Sequence, residues 1–403
     1  MSMHLYTNAR LFTAVDESVI EDGALLVDGG EVVFAGPQAA VPELPNDVAR
    51  TDVGKAFLMP GMTETHAHLS FADASPFAIG ETPVEQATLT AVRNASLMLR
   101  SGFTSAISFG STYRIDVALR DAINGGQLSG PRLLAAGRDL GATASNVDSP
   151  GGLSQIADGP WAVRKAVREQ RKIGVDVVKL FIDGEAINRQ CPPGELSFTD
   201  EEVNAAVEEA HRRRLRVACH ARSAAAVKQA TRAGVDYIGH ANYLDDEAVA
   251  LLAQRERVFV GPAIAWEVQY VAQCESLGVS RDMVAQQGYV KEIDATIATV
   301  EKLRNAGVKL VVGGDYGISI APHGTYAKDL EYFVDLFGMS PAEALICATR
   351  HGGDAFDPSG RVGTLAAGSA ADFIVVDGDP LEDVTVLQQH ARLTVYKGGE
   401  AAR

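Results

Sequence analysis

Histidine, lysine and aspartate recur in this chain at places suited to holding a metal ion. His66 and His68 follow the apolar segment Phe57-Leu58-Met59-Pro60-Gly61, within MPGMTETHAH. On an extended chain, residues i and i+2 point to the same side, so two imidazoles can reach one ion. Taken alone, an HxH also fits a surface pair. Lys179 lies inside the apolar run Val175–Phe181, where an amine without a partner is costly. Its bland reading is a strand-end lysine that snorkels to solvent or pairs with Asp183 or Glu185. His220 closes Arg216-Val217-Ala218-Cys219-His220, and His240 closes Val235-Asp236-Tyr237-Ile238-Gly239-His240. Asp315 follows Leu310-Val311-Val312-Gly313-Gly314. Imidazoles and a carboxylate together suit Zn²⁺ or a similar first-row ion.

The elements that must position these side chains have two textures. At both ends of the chain, short alternating strands are separated by Gly and Asp turns. These are residues 4–13, 23–28 and 31–35, with an Asp-Gly-Gly turn at 28–30, and then 371–377 and 392–397. They predict one small β domain built from both ends, residues 1–57 plus 357–403. Between them, strand candidates Ala56–Met59, Ser105–Ser108, Arg132–Ala136, Val175–Phe181, Arg216–Ala218, Tyr237–Gly239, Val258–Val260 and Lys309–Val312 alternate with helical periodicities. The helices are expected at Glu85–Arg100, Asp116–Gly125, Pro160–Ile173, Asp200–Arg213, Ser223–Ala233, Asp245–Arg255, Gln287–Ala306 and Lys328–Phe337. This α/β alternation implies a parallel sheet over residues 58–356, and about eight repeats fit a (β/α)₈ TIM-type barrel. A doubly wound open sheet is the alternative. In a barrel the strand C-termini converge on one face, so four strands ending in His, His, Lys or Asp would surround one cavity.

Composition narrows the partners. The chain has 403 residues, 46% of them apolar, enough for one large core with a satellite. A formal net charge of −16 argues against nucleic acid. No run of about 18 apolar residues suggests a membrane span, and the first residues lack a signal-peptide pattern. Four cysteines (Cys191, Cys219, Cys274 and Cys347) are scattered without a CxxC pair. They point to a reducing compartment and a cytoplasmic protein acting on a small molecule; a homo-oligomer is compatible with this. No GxGxxG or Walker motif supports a nucleotide cofactor. His4, His351 and His390 lack a strand-end context, and His211 sits in the basic run 211–214. All four read as surface or structural.

As a set, these residues resemble the amidohydrolase superfamily, over nearly the whole chain. The likeness includes the closing segment GRVGTLAAGSAADFIVVDGDP at 360–380, which in that family returns the chain to a small β-sandwich. An HxH on the first strand, a lysine on the fourth, histidines ending the fifth and sixth and an aspartate ending the eighth look like the binuclear subtype. The resemblance implies two divalent ions, Zn²⁺ first among them. His66, His68 and Asp315 would hold one and His220 and His240 the other, with Lys179 carbamylated and bridging. It further implies hydrolysis by a metal-activated hydroxide, with Asp315 moving the proton from water to the leaving amine.

Within the superfamily the chain is most similar to the prolidase-like and imidazolonepropionase-related branch. The supporting stretches are GPRLLAAGR at 130–138, HANYLDDEAVALL at 240–252 and HGTYAKDLEYFVD at 323–335. Three positions are expected to face substrate. Asn146 stands where such relatives carry the histidine of a GGH segment. Trp266 is the nearest match to a missing tyrosine; it would stack on a flat apolar substrate or simply pack. His323, after the last strand, would touch substrate or cap the loop. The expected activity is cleavage of an amide C–N bond in a dipeptide or N-acyl amino acid. A urea, carbamate or aryl-amide hydrolase with the same site is the alternative, followed by cyclic-amide hydrolysis. Deamination fits less well, because deaminase relatives usually lack the lysine. An inactive barrel scaffold would have lost ligands, and none is missing.

Overall fold

The computed structural model of the chain describes residues 3–148, 153–186, 188 and 190–402. Both chain ends enter one eight-stranded sheet. His4–Phe12, Val19–Asp28, Glu31–Pro37, Ala49–Asp52 and Phe57–Pro60 come from the N-terminal side, and Phe373–Val376, Leu393–Lys397 and Glu400–Ala401 from the C-terminal side. Phe57–Pro60 joins the two contributions. It runs parallel to His4–Phe12 and antiparallel to Phe373–Val376, where Leu58 faces Val375. The expected hairpin forms at Gly29-Gly30, whose φ angles of 56° and 87° suit a two-residue turn. Apolar residues are buried on both faces of this sheet. Leu5, Ala24 and Leu26 pack with Val41, Leu44 and Val48, whereas Tyr6, Leu25 and Val27 pack with Leu58 and Phe373.

Eight further strands position the site: β1 Met62–Ala67, β2 Phe103–Ser108, β3 Arg132–Leu134, β4 Val177–Phe181, β5 Arg216–Ser223, β6 Tyr237–Tyr243, β7 Phe259–Gly261 and β8 Lys309–Leu310. β1, β2 and β3 pair in parallel, and so do β4 to β8 in order. Two links join these groups into a ring. The Asp176 and Val177 N–H groups donate to the Ala135 carbonyl just past β3, and Thr65 of β1 donates to the Val312 carbonyl just past β8. Every residue of β1, β2 and β4 is buried, as expected for parallel strands covered on both faces. Helices between the strands supply that cover. One, Asp200–Arg212, starts at a capping box in which Thr199 and Glu202 each bond the other's backbone N–H.

Two expectations need correction. The segment Ala56–Met59 does not open the ring; Phe57–Pro60 belongs to the terminal sheet, and the first ring strand is Met62–Ala67. The boundary expected after residue 57 therefore moves past Pro60. Residues 57–67 are buried almost without a break, so apolar pattern cannot divide them. The division is made by hydrogen bonds, since Gly61 donates to Asp372 of the terminal domain and Met62 donates to Gly102 beside β2. The second concerns elements that were not expected. Helices Ala265–Gln273 and Arg281–Gln287 follow β7, and two short parallel strands, Asp139–Gly141 and Ser154–Ile156, lie beside β4.

Candidate metal centre

The ring strands and the segments just after them bring the six expected residues to one cavity of about 650 Å³, which His66, His68, Lys179, His220 and Asp315 line directly. His240 lies beside it, its ring centroid 4.2 Å from that of His220 and 5.1 Å from that of His66. Close backbone approach makes this possible. A Cβ at Gly239 would sit 2.9 Å from the His66 ring, and one at Gly313 would sit 2.7 Å from the Thr65 hydroxyl and 2.9 Å from the His66 backbone nitrogen. Two of the six residues take left-handed backbone, His240 at φ 78° and Asp315 at φ 58°. For non-glycine residues this conformation is strained and concentrates at functional sites.

Two donor groups of the same make-up face the cavity. In the first, His68 Nε2 lies 3.1 Å and His66 Nε2 3.7 Å from Asp315 Oδ1. The His68 Nδ1 is 2.9 Å from the Gly110 carbonyl. A carbonyl only accepts, so Nδ1 is the donor there, and Nε2 is the nitrogen turned toward Asp315. Burial drives the His66 pKa well below the ordinary value, which leaves that ring neutral. Burial opposes ionisation of Asp315, but His66, His68 and the Lys179 ammonium hold its carboxyl below the usual range. Two imidazole nitrogens and a carboxylate oxygen this close form a donor set that one divalent cation would bind. The second group is Glu185, His220 and His240, whose ligand atoms all lie within 4.8 Å of one another. His220 and His240 are also held neutral by burial. Among the described residues, the Nε2 of His220 and both ring nitrogens of His240 are buried without a hydrogen-bond partner. The donor chemistry thus fits divalent first-row ions.

Lys179 is 2% exposed, and its Nζ donates to the Phe109 carbonyl at 3.2 Å and lies 4.5 Å from the Phe109 ring centroid. Neither snorkelling nor pairing with Asp183 or Glu185 occurs. Asp183 accepts backbone N–H groups from Gly194, Arg222 and Ser223, and Glu185 faces Arg222. Among the described residues Lys179 forms no ion pair, which is unusual for a buried ammonium.

Asn146 and Trp266 also line the cavity. Asn146 Oδ1 accepts from Asn188 Nδ2 at 2.9 Å, and Trp266 stacks on Tyr270 with ring centroids 4.9 Å apart. His323 does not line it. Its Nδ1 is 2.8 Å from the Tyr326 hydroxyl, its Nε2 is 3.1 Å from the Phe71 carbonyl, and its backbone N–H donates to Asp73. With both ring nitrogens engaged, His323 ties down the loop whose Phe71 stacks on His68 at 4.3 Å. Of the two roles expected for His323, these contacts are those of the cap.

Several site residues escaped the sequence reading. Asp139, at the start of an unexpected short strand, lines the cavity, and burial pushes its carboxyl up to about 6. Arg222, 4% exposed, pairs with Glu185, Glu267 and Glu292. Arg222 was findable. It stands two residues beyond His220 on β5, the same i, i+2 relation that joins His66 to His68.

Comparison with known proteins matches this geometry. Residues 57–402 match the amidohydrolase family model. The chain belongs to the amidohydrolase family. It lies in the prolidase-like and imidazolonepropionase-related branch. It is 28% identical to an ochratoxinase of Aspergillus niger, covering 97% of this chain and 85% of that protein. It is 26% identical to an imidazolonepropionase of Acidiphilium cryptum, covering 98% and 99%. Among solved structures, a Xaa-Pro dipeptidase with methionine bound in its active site superposes with a TM-score of 0.86 at 27% identity, over 99% of both chains. Membership of the family and these hydrolase relatives make the chain a hydrolase of C–N bonds. Among the described residues, no helix is long and apolar enough to cross a membrane.

Proposed function

We propose that the chain is a two-metal amidohydrolase cleaving the amide bond of a small dipeptide or N-acyl amino acid. In this reading the strand ring is a (β/α)₈ barrel, and the terminal sheet is the small β-sandwich of the family. The observation that carries it is the pair of two-histidine, one-carboxylate groups beside one cavity, with His220 Nε2 and both His240 ring nitrogens unpartnered among the described residues. When bound, divalent ions, most simply Zn²⁺, polarise the carbonyl and lower the pKa of water. His66, His68 and Asp315 would hold one ion and His220 and His240 the other. Lys179 would bridge them once carbamylated, which also removes the cost of its unpaired buried charge.

Asp315 accepts a proton from the attacking water through the oxygen left free of the histidines and returns it to the leaving nitrogen. The C–N bond then breaks to give a carboxylic acid and an amine. The walls of the cavity include Phe71, Ile79, Val147, Leu153, Trp266 and Ile318, which favours substrates with apolar side groups. The likeness to a Xaa-Pro dipeptidase with methionine bound in its active site supports an amide of an amino acid. Four buried, unpaired cysteines are in keeping with a cytoplasmic location.

The test is metal analysis of purified protein, followed by a screen of dipeptides, N-acyl amino acids, phenylureas and carbamates with metal-loaded enzyme. Turnover of the first two classes is expected. A protein that takes up no Zn²⁺, Mn²⁺ or Co²⁺ would count for a scaffold, and turnover confined to ureas or carbamates would move the substrate assignment.

A further inference from the structure

The geometry points to Glu185 as a protein ligand of the second metal ion, completing with His220 and His240 a set that mirrors His66, His68 and Asp315. The inference rests on the two-ion reading above and names a donor that the family resemblance does not supply. Glu185 Oε1 lies 3.5 Å from His220 Nδ1, a separation that one shared ion between the two atoms would give. His240, 2% exposed, has no hydrogen-bond partner for either ring nitrogen among the described residues, and its ligand atom lies within 4.8 Å of those of Glu185 and His220.

The other oxygen of Glu185 explains how the carboxylate is aimed. Oε2 is 2.7 Å from Arg222 Nη2. Arg222 is held from behind, where its Nη1 bonds Glu267 at 2.9 Å, Asn242 at 3.2 Å and Glu292. The guanidinium is therefore a fixed strut that takes one oxygen of Glu185 and turns the other toward the imidazoles. Metal-bound carboxylates are commonly oriented by such a partner. Charge count agrees with this. Arg222 already faces two buried carboxylates in Glu267 and Glu292, and it does not need a third for neutrality. A divalent cation at the imidazoles would give this third carboxyl group a charge partner of its own.

Glu185→Gln tests this, because glutamine keeps the size and can still accept from Arg222 while losing the anionic donor. Metal-depleted wild type and variant, checked by circular dichroism, are titrated with Zn²⁺ against a chromophoric chelator, and bound metal is counted by mass spectrometry. Wild type is expected to take two ions. The variant is expected to keep one at wild-type affinity and bind the second about 10- to 100-fold more weakly, with Glu185→Ala at least as weak and Glu185→Asp between. Two ions at wild-type affinity in both Glu185→Gln and Glu185→Ala would overturn the assignment while leaving the two-ion reading intact. Loss of both ions from a folded Glu185→Gln protein would also overturn it. A wild type that holds fewer than two ions would overturn the two-ion reading and this assignment together.

Discussion

His68 Nε2 stands 3.1 Å from Asp315 Oδ1 while His68 Nδ1 is committed to the Gly110 carbonyl. The backbone of one loop thereby decides which face of the imidazole meets the carboxylate. Asp315 is joined to two histidines through Oδ1 alone, which leaves its other oxygen to move a proton. Asp315→Asn should lower kcat by about 10³-fold or more, with an unchanged circular dichroism spectrum. Near-normal turnover in that variant would remove Asp315 from the proton path.

Lys179→Ala deletes a buried amine in the wall of the cavity. Metal content should fall below the wild-type value, and short carboxylates such as acetate or propionate should restore part of the activity by occupying the vacated space. A variant with full metal content would leave Lys179 as a packing residue held by Phe109.

The six expected residues were legible because each closes or interrupts an apolar run, and a parallel ring turns that one-dimensional pattern into convergence at one end. The first strand was misplaced for the converse reason. Phe57 to Ala67 is nearly all buried, and only the partners of Pro60, Gly61 and Met62 reveal where one domain stops. Glu185 was illegible as a donor because it lies in an irregular stretch after β4, where no periodicity aims a side chain. Glu267 and Glu292 sit on helices Ala265–Gln273 and Tyr289–Asn305, and look like solvated helical carboxylates until the fold brings Arg222 against them. His323 misled in the opposite direction, since its capping partner Tyr326 is only three residues on but Phe71 is far away in sequence.

Trp266 lines the cavity and keeps one face against Tyr270. Among the described residues its Nε1 has no hydrogen-bond partner. Trp266→Ala should raise KM for substrates with an aromatic group by about 3- to 10-fold, the scale of one lost aromatic contact. Trp266→Phe should keep most of the affinity. Equal kinetics in both variants and wild type would assign the indole to packing alone.

Glu209 offers a pH test away from the metal centre. Hydrogen bonds from Arg168, joined by one from Arg213, hold its carboxyl down at about 2. A depressed folded-state pKa stabilises the fold above the unfolded value of about 4.3, and that contribution disappears as pH falls from about 4.3 to about 2. Glu209→Gln should therefore lower Tm at pH 7, with the gap to wild type narrowing steadily between pH 4.5 and pH 2.5. A gap of constant size would mean that packing, not charge, accounts for it.

The terminal sheet is tied to the strand ring by a two-pronged ion pair. Arg132 of β3 donates Nε to Asp372 Oδ2 at 2.6 Å and Nη2 to Oδ1 at 3.0 Å, and Gly398 N–H adds a third bond to Oδ1 at 2.7 Å. Asp372 is 4% exposed, so removing it strands a guanidinium and a backbone donor at once. Asp372→Ala should cost about 2 kcal/mol, a fall in Tm of about 2–3 °C for a chain of this length. Arg132→Ala alone should cost less, because Gly398 still meets the carboxylate, and the double variant should be less than additive. Neither residue lines the cavity, so kcat should hold. Strict additivity in the cycle would show that the two side chains stabilise the fold independently and that the pair does not join the domains.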